Sequence, residues 1–182
     1  DAAASFQIGL IYLEQKYPEN AILELRPLLN TPRYKERVRY YIALALEEKG
    51  DLKAAAREYQ LVERGSEQYL PARLRMAYLY YQLKDKDQAR RILEELERLT
   101  PDKEEVYLMV GYLYEEENQW DRAIAVLEEA LDKVPKPAEI HFRLAVLYEK
   151  KKNQQESIAH IKKVLELEPD NPDALNFLGY TY

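Results

Sequence analysis

The sequence predicts an all-α solenoid of antiparallel helix pairs, and three observations predict it. A small residue recurs every 34 residues, at Gly9, Ala43, Ala77, Gly111, Ala145 and Gly179. A large residue follows each of them by three places, at Tyr12, Leu46, Tyr80, Tyr114, Tyr148 and Tyr182. Within each window the apolar residues recur at three- and four-residue spacing, which is the period of a helix. A period of this size, kept without insertion, means stacked supersecondary units rather than one globular core. Such units contact chiefly their neighbours, so residues 1–182 are expected to form a single array.

Each element follows from local signals. The first window gives helices near 3–15 and 19–30, and Pro27, which lacks a backbone donor, should bend the second of them. The second window gives 36–49 and 53–64, joined at Gly50-Asp51, where Gly50 suits a left-handed helix end. The third gives 70–83 and 87–99. In the fourth, 104–117 and 121–133, the residues Tyr107, Val110, Gly111 and Tyr114 share one face, and Ala123, Val126, Leu127 and Ala130 share another. Between them Glu117-Asn118-Gln119 is a polar turn, Asp121 is placed to cap the next helix, and Trp120 is expected in the core. The fifth window gives 138–151 and 155–167, and a last helix spans 173–182. A second small column, Ala21, Ala55, Ala89, Ala123 and Ser157, is followed four places on by Leu25, Tyr59, Leu93, Leu127 and Ile161. Pro101, Pro135 and Pro169 punctuate the windows.

Composition narrows the function classes. Hydrophobic residues make up 47% of the chain and charged ones 33%, enough for a core. Mean hydropathy is −0.59, and no apolar run approaches the roughly 20 residues of a membrane span. A net charge of −6 disfavours the nucleic-acid backbone. With no cysteine there is neither a disulfide nor a thiolate metal site. The chain opens directly on a helical segment, as expected of a piece excised from a longer protein.

The period, the helix-turn-helix pattern and the small, aromatic and proline columns resemble the tetratricopeptide repeat family, in the form its bacterial members take. The resemblance covers windows 2–35, 36–69, 70–103, 104–137 and 138–171 and a partial sixth, 172–182. It implies a right-handed superhelix with first helices on the concave face and a non-enzymatic scaffold that holds a protein partner. Arg39 and Arg73 stand where the family usually has a large apolar residue, so those windows should have a looser seam or pack guanidinium on aromatic rings.

On that arrangement the exposed first-helix positions form a groove. One place after the small column lie Leu10, Leu44, Tyr78, Tyr112, Val146 and Tyr180. Three before it lie Phe6, Tyr40, Leu74, Leu108, Phe142 and Asn176; two before it lie Gln7, Tyr41, Arg75, Met109, Arg143 and Phe177. Tyr81, with Glu47, Glu115 and Glu149, comes four after it. A contiguous apolar, Tyr-rich face marks an interaction site for a peptide or an amphipathic helix. Arg75 and Arg143 are candidates to hold a ligand carboxylate, and the three glutamates form an acidic rim. The competing reading packs some of these rings between neighbouring first helices. The carboxylate clamp of chaperone-binding relatives needs Lys and Asn, and its places here hold Phe6, Leu10, Tyr40, Leu44, Leu74 and Tyr78. Apolar anchors are therefore expected rather than an acidic tail.

No catalytic constellation or cofactor is expected. His141 and His160 lie on different helices without converging carboxylates, short of a metal site, and His141 is expected at an inter-repeat packing position. Glu115-Glu116-Glu117 should be a solvated helix end, and Lys150-Lys151-Lys152 should complement a helix C-terminus. The alternative function is self-association into a homodimer or larger assembly, through the groove or the terminal helix. The ending Asp173–Tyr180 is similar to long bacterial members, several of them envelope lipoproteins, which leans the location toward the envelope with the cytoplasm close behind.

Overall fold

A computed structural model describes residues 1–181, with side chains through Gly179. It falls into two compact units, Asp1–Glu94 and Glu95–Tyr182. Every regular element among the described residues is helical. The first unit holds α1 (Ala2–Glu14), α2 (Pro18–Leu25), α3 (Lys35–Glu48), α4 (Leu52–Gln60) and α5 (Tyr69–Gln82), and α6 (Lys86–Leu99) contains the boundary. The second holds α7 (Glu104–Glu116), α8 (Trp120–Ala130), α9 (Ala138–Lys150), α10 (Gln154–Leu167) and α11 (Pro172–Thr181). Helices pack as hairpins, α1 on α2, α3 on α4, α7 on α8 and α9 on α10. Each of α2, α4, α8 and α10 then covers the helix that follows it.

The small column explains how closely the hairpin helices approach. A Cβ placed on Gly9 would lie 2.6 Å from Cγ of Leu25, and one on Gly111 would lie 3.3 Å from Leu127. Gly9 and Gly111 thus each seat the large residue that lies sixteen places on in the second helix. Leu25 and Leu127 are fully buried there, each contributing roughly 2 kcal/mol of apolar burial. Around these seats the first unit gathers Ile22, Leu28, Val38 and Ile42, and the second gathers Tyr107, Ile140, Leu144 and Leu147. Trp120 packs against the second core.

The turns between paired helices repeat too. Lys16, Gly50, Lys84, Asn118 and Lys152, again 34 apart, all have positive φ, between 57° and 80°. At each turn the next N–H reaches back to the aromatic column, for example Asp85 to the Tyr80 carbonyl at 2.9 Å. The left-handed residue itself donates to the carbonyl three back, as Lys84 does to Tyr81 at 3.0 Å. These two bonds close the helix end that a lone turn would leave open. The residue after the turn then caps the second helix: the Asp51, Asp85 and Asn153 side chains accept from N–H groups three residues ahead, at 3.1, 3.1 and 3.3 Å.

Three local expectations need correction. Pro27 does not bend a continuous helix; α2 stops at Leu25 and a 3₁₀ turn, Arg26–Asn30, replaces its end, because Pro27 cannot donate to the carbonyl four back. Asp121 is not a cap. The turn places Gln119 at that position, its longer side chain bonds Glu117 and Arg122 instead, and Asp121 pairs with Lys151. The second helices α4 and α8 end at Gln60 and Ala130, ahead of the expected 64 and 133. In the α4 case Glu36 captures the Glu63 N–H at 2.7 Å, outside the helix.

Lysine at a left-handed position carries a steric cost that glycine lacks. Lys84→Gly is expected to raise stability by about 0.5–1 kcal/mol, the left-handed penalty less the extra chain entropy of glycine. Denaturant unfolding checks it, with Gln82→Gly inside α5 expected to move the midpoint the opposite way.

Candidate functional site

The columns flanking the small residues give each unit a first-helix face. In the first unit Leu10, Leu44, Leu74 and Tyr78 are partly exposed, as are Tyr40, Tyr41 and Tyr81. Phe6 is an exception, at 2% exposure. It sits beneath the Arg37 guanidinium at 4.5 Å and beside the Tyr34 and Tyr41 rings at 5.4 and 5.7 Å. Tyr40 extends this cluster, edge-on to Tyr41 and tilted against the buried ring of Tyr59. The ring packing between neighbouring helices that the competing reading anticipates therefore takes up Phe6 and part of its neighbours.

In the second unit Leu108, Met109, Tyr112, Phe142, Val146 and Phe177 are partly exposed. Phe142 and Phe177 meet edge-on at 6.3 Å. The Tyr180 side chain lies outside the described residues.

The two arginines on these faces are each paired with a glutamate of the preceding first helix. Arg75 holds the Glu47 carboxylate at 2.9 Å. Arg143 holds Glu115 at 2.7 Å, and Lys150 reaches its other oxygen at 3.1 Å. In both cases the arginine lies 28 residues beyond the glutamate, so one ion-pair rung repeats between successive first helices. Arg75 and Arg143, expected from the sequence as candidates to hold a ligand carboxylate, thus each have a carboxylate partner within the chain. Glu115 is likewise not a solvated helix end; its side chain is only 6% exposed. Lys150 pairs with it, Lys151 pairs with Asp121, and Lys152 occupies a left-handed turn, so the lysine run divides among three tasks. Burial pushes the Glu47 carboxyl above the ordinary carboxylate range against the pull of Arg75. The buried Tyr59 phenol rises above its usual range for the same reason, with the nearby Glu47 adding to it.

Within the hairpins the column of Arg39 and Arg73 has found polar solutions. Arg39 pairs with Glu58 at 3.5 Å, and the Arg73 guanidinium lies 5.9 Å from the Tyr69 ring centre. His141 occupies the same column, but it faces its own partner helix rather than the next repeat. Its Nδ1 lies 2.8 Å from Nδ1 of His160, and Tyr148 stacks on His160 at 5.5 Å while its hydroxyl bonds Glu128. Both imidazoles are held below the ordinary His range, first by burial and, for His141, then by His160. Glu156 and Glu128 pull His160 the other way, more weakly than burial. Sequence reasoning left the two histidines apart; their 19-residue separation, shared with Arg39 and Glu58, was the available signal.

Among the described residues no group of three or more His, Asp or Glu could hold a metal ion. No described helix is long and apolar enough to cross a membrane. What the arrangement offers is apolar contact area with phenolic tips.

Comparison with known proteins agrees with the fold. Two tetratricopeptide repeat profiles match residues 36–111 and 108–172. Among solved structures, the thermophilic TPR protein TTC0263 from Thermus thermophilus is 21% identical with a TM-score of 0.66, over 99% of this chain and 98% of that one. MamA from Desulfovibrio magneticus RS-1 is 22% identical with a TM-score of 0.61, over 94% and 97%. YrrB, a TPR protein with an unusual peptide-binding site, is 18% identical with a TM-score of 0.56, over 98% and 92%. At these identities the likeness is one of fold. No curated protein sequence matches the chain.

Two consequences can be measured. Glu115→Ala leaves two cations facing a buried position and is expected to cost about 1–2 kcal/mol, discounted because both partners are partly exposed. The exposed neighbour Glu116→Ala should change little, and equal costs in denaturant unfolding would remove the buried role of Glu115. The second consequence concerns pH. The unfolded chain protonates its histidines near the ordinary value of 6.5, whereas the folded pair resists to lower pH. Stability is therefore complete above that value and falls as pH drops through it toward the folded values. The melting temperature is expected to decline between about pH 7.5 and 5.5. In His141→Asn/His160→Asn the decline should flatten, and an unchanged slope would place its origin elsewhere.

Proposed function

Because the chain belongs to the tetratricopeptide repeat family, whose repeats are protein–protein interaction scaffolds and in general not enzymes, we propose that it holds a peptide or an amphipathic helix of a partner protein against the Tyr-rich faces of its first helices. The observation that carries this reading is the combination of partly exposed apolar and aromatic side chains with arginines already paired internally. Leu44, Leu74 and Tyr78 in one unit and Leu108, Tyr112 and Val146 in the other supply contact area. Arg75 and Arg143 are engaged by Glu47 and Glu115. A ligand that relied on its own charge would have to displace those pairs, so apolar anchors are favoured over an acidic tail. The peptide-binding site of YrrB, a protein of similar fold, supports the same kind of use here.

A second reading, self-association through the terminal helix, draws on Leu175, which is 50% exposed on α11. A concentration-dependent dimer in sedimentation that disappears in Leu175→Glu would favour it.

The leading reading is tested by selecting a displayed peptide library against the chain. The expected consensus carries apolar anchors, and its binding changes little between low and physiological salt. Tyr78→Ala/Tyr112→Ala should weaken selected peptides at least about tenfold, as loss of aromatic hot spots does, while helical circular dichroism persists. Enrichment of acidic C-terminal peptides, or binding indifferent to the double substitution, overturns the proposal.

A further inference from the structure

The outward faces of the second helices differ between repeats in a way the stack does not require. Two, five and six places after their small residue, α2, α4, α8 and α10, with the turns that end them, carry exposed positions. On α8 these places hold Ala125, Glu128 and Glu129, and on α10 Ala159, Lys162 and Lys163, all small or charged. On α2 and the 3₁₀ turn that ends it they hold Leu23, Arg26 and Pro27, and on α4 and its C-cap Arg57, Gln60 and Leu61. Leu23 is 73% and Leu61 54% exposed. Neither owes this to a missing neighbour, because the same places are open on α8 and α10, which have helices before and after them. Lys53 and Arg64 add an exposed cation at either end of the α4 row. None of Arg26, Lys53, Arg57 and Arg64 pairs with a carboxylate among the described residues. The nearby acids are drawn instead to α3 and its C-cap: Glu19 to Lys49, Glu58 to Arg39 and Glu63 to Lys35. Residues 1–94 hold two more Lys and Arg than Asp and Glu, so the negative charge of the chain falls on residues 95–182.

We propose that this cationic, leucine-bearing face is a docking surface for an anionic lipid bilayer, which it meets peripherally. Charge complementarity calls for an anionic partner, and the placing of the leucines favours lipid over an acidic polypeptide. A docked helix or strand needs a contiguous apolar stripe or a cleft. Leu23 and Leu61 instead stand apart on two helices, each one turn away from an arginine, Arg26 and Arg57. A bilayer interface accepts such separate side chains. Each leucine enters the boundary of the acyl layer alone, while the guanidinium beside it stays among the phosphates. The face uses second helices, whereas the protein-binding face proposed above uses first helices, so the two readings stand or fall separately.

The test sediments the whole chain with vesicles of equal parts phosphatidylglycerol and phosphatidylcholine, and with vesicles of phosphatidylcholine alone. Binding is expected on the anionic vesicles only, and should weaken several-fold from low to physiological salt. Arg26→Glu should lower it at least about tenfold, since each cation near an anionic surface contributes and a reversal counts twice. Lys162→Glu, the same charge change at the matching place of α10, should alter it little. Leu23→Asn/Leu61→Asn should lower it at least about tenfold with the charge unaltered. Tyr78→Ala/Tyr112→Ala should leave it unchanged, which separates this face from the protein-binding one. Circular dichroism establishes that each variant remains folded. Absence of binding, equal binding to neutral vesicles, equal losses in Arg26→Glu and Lys162→Glu, or indifference to the leucine substitutions overturns the proposal. Soluble polyglutamate that displaces the vesicles and binds regardless of the leucines would assign the face to an acidic polypeptide, and overturns it too.

Discussion

The rest of the structure depends on how closely the two helices of a hairpin approach. Leu25 over Gly9 and Leu127 over Gly111 leave no room for even a methyl group without displacement or strain. Close approach of the backbones requires a small residue at that point of the first helix and a large one at the facing point of the second. Once that seat is made, the helix period places Val38 and Ile42, or Ile140 and Leu144, against the second helix that precedes them. Hairpin packing and stacking are therefore two consequences of one local size rule, repeated at 34-residue intervals.

That rule is why the fold was legible. Size and periodicity survive in a single sequence, and the expected helices agree with the observed ones to within a residue or two at most ends. The misses have physical causes. At the left-handed turns only Gly50 and Asn118 carry the side-chain signal for that backbone; Lys16, Lys84 and Lys152 do not. There the conformation is imposed by paired backbone bonds, one of them to the aromatic column, joined after Lys84 and Lys152 by the capping side chains of Asp85 and Asn153. At α2 the proline was visible, but whether a chain bends or tightens into a 3₁₀ turn depends on what packs beyond it.

The candidate faces were less legible, for a related reason. Which columns point inward follows from helical geometry, but which side chains remain available depends on pairs formed between columns. Glu47 with Arg75 and Glu115 with Arg143 lie 28 residues apart, one repeat less six places, and neither partner reveals the other when columns are read singly. The 19-residue rung across a hairpin behaves alike, holding Arg39 to Glu58 in one repeat and His141 to His160 in another. Reading columns in pairs at these two spacings would have shown both.

These rungs also bear on specificity. The columns that the repeats share maintain the stack, so they are equally present in any array of this kind and cannot distinguish one partner from another. Discrimination has to arise where repeats differ. Here the differing first-helix positions are mostly apolar or phenolic, and the two arginines among them are neutralised by neighbours of the same chain. An arginine bonded to a half-buried carboxylate presents a fixed, neutral surface. To accept a ligand carboxylate it would have to abandon that partner and leave it uncompensated, a cost that offsets the new ion pair. The ion pairs therefore act less as binding groups than as struts. They hold successive first helices in register, so that the apolar side chains beside them are displayed at set intervals. On the function proposed above, shape and spacing, rather than charge, are what such a surface would select.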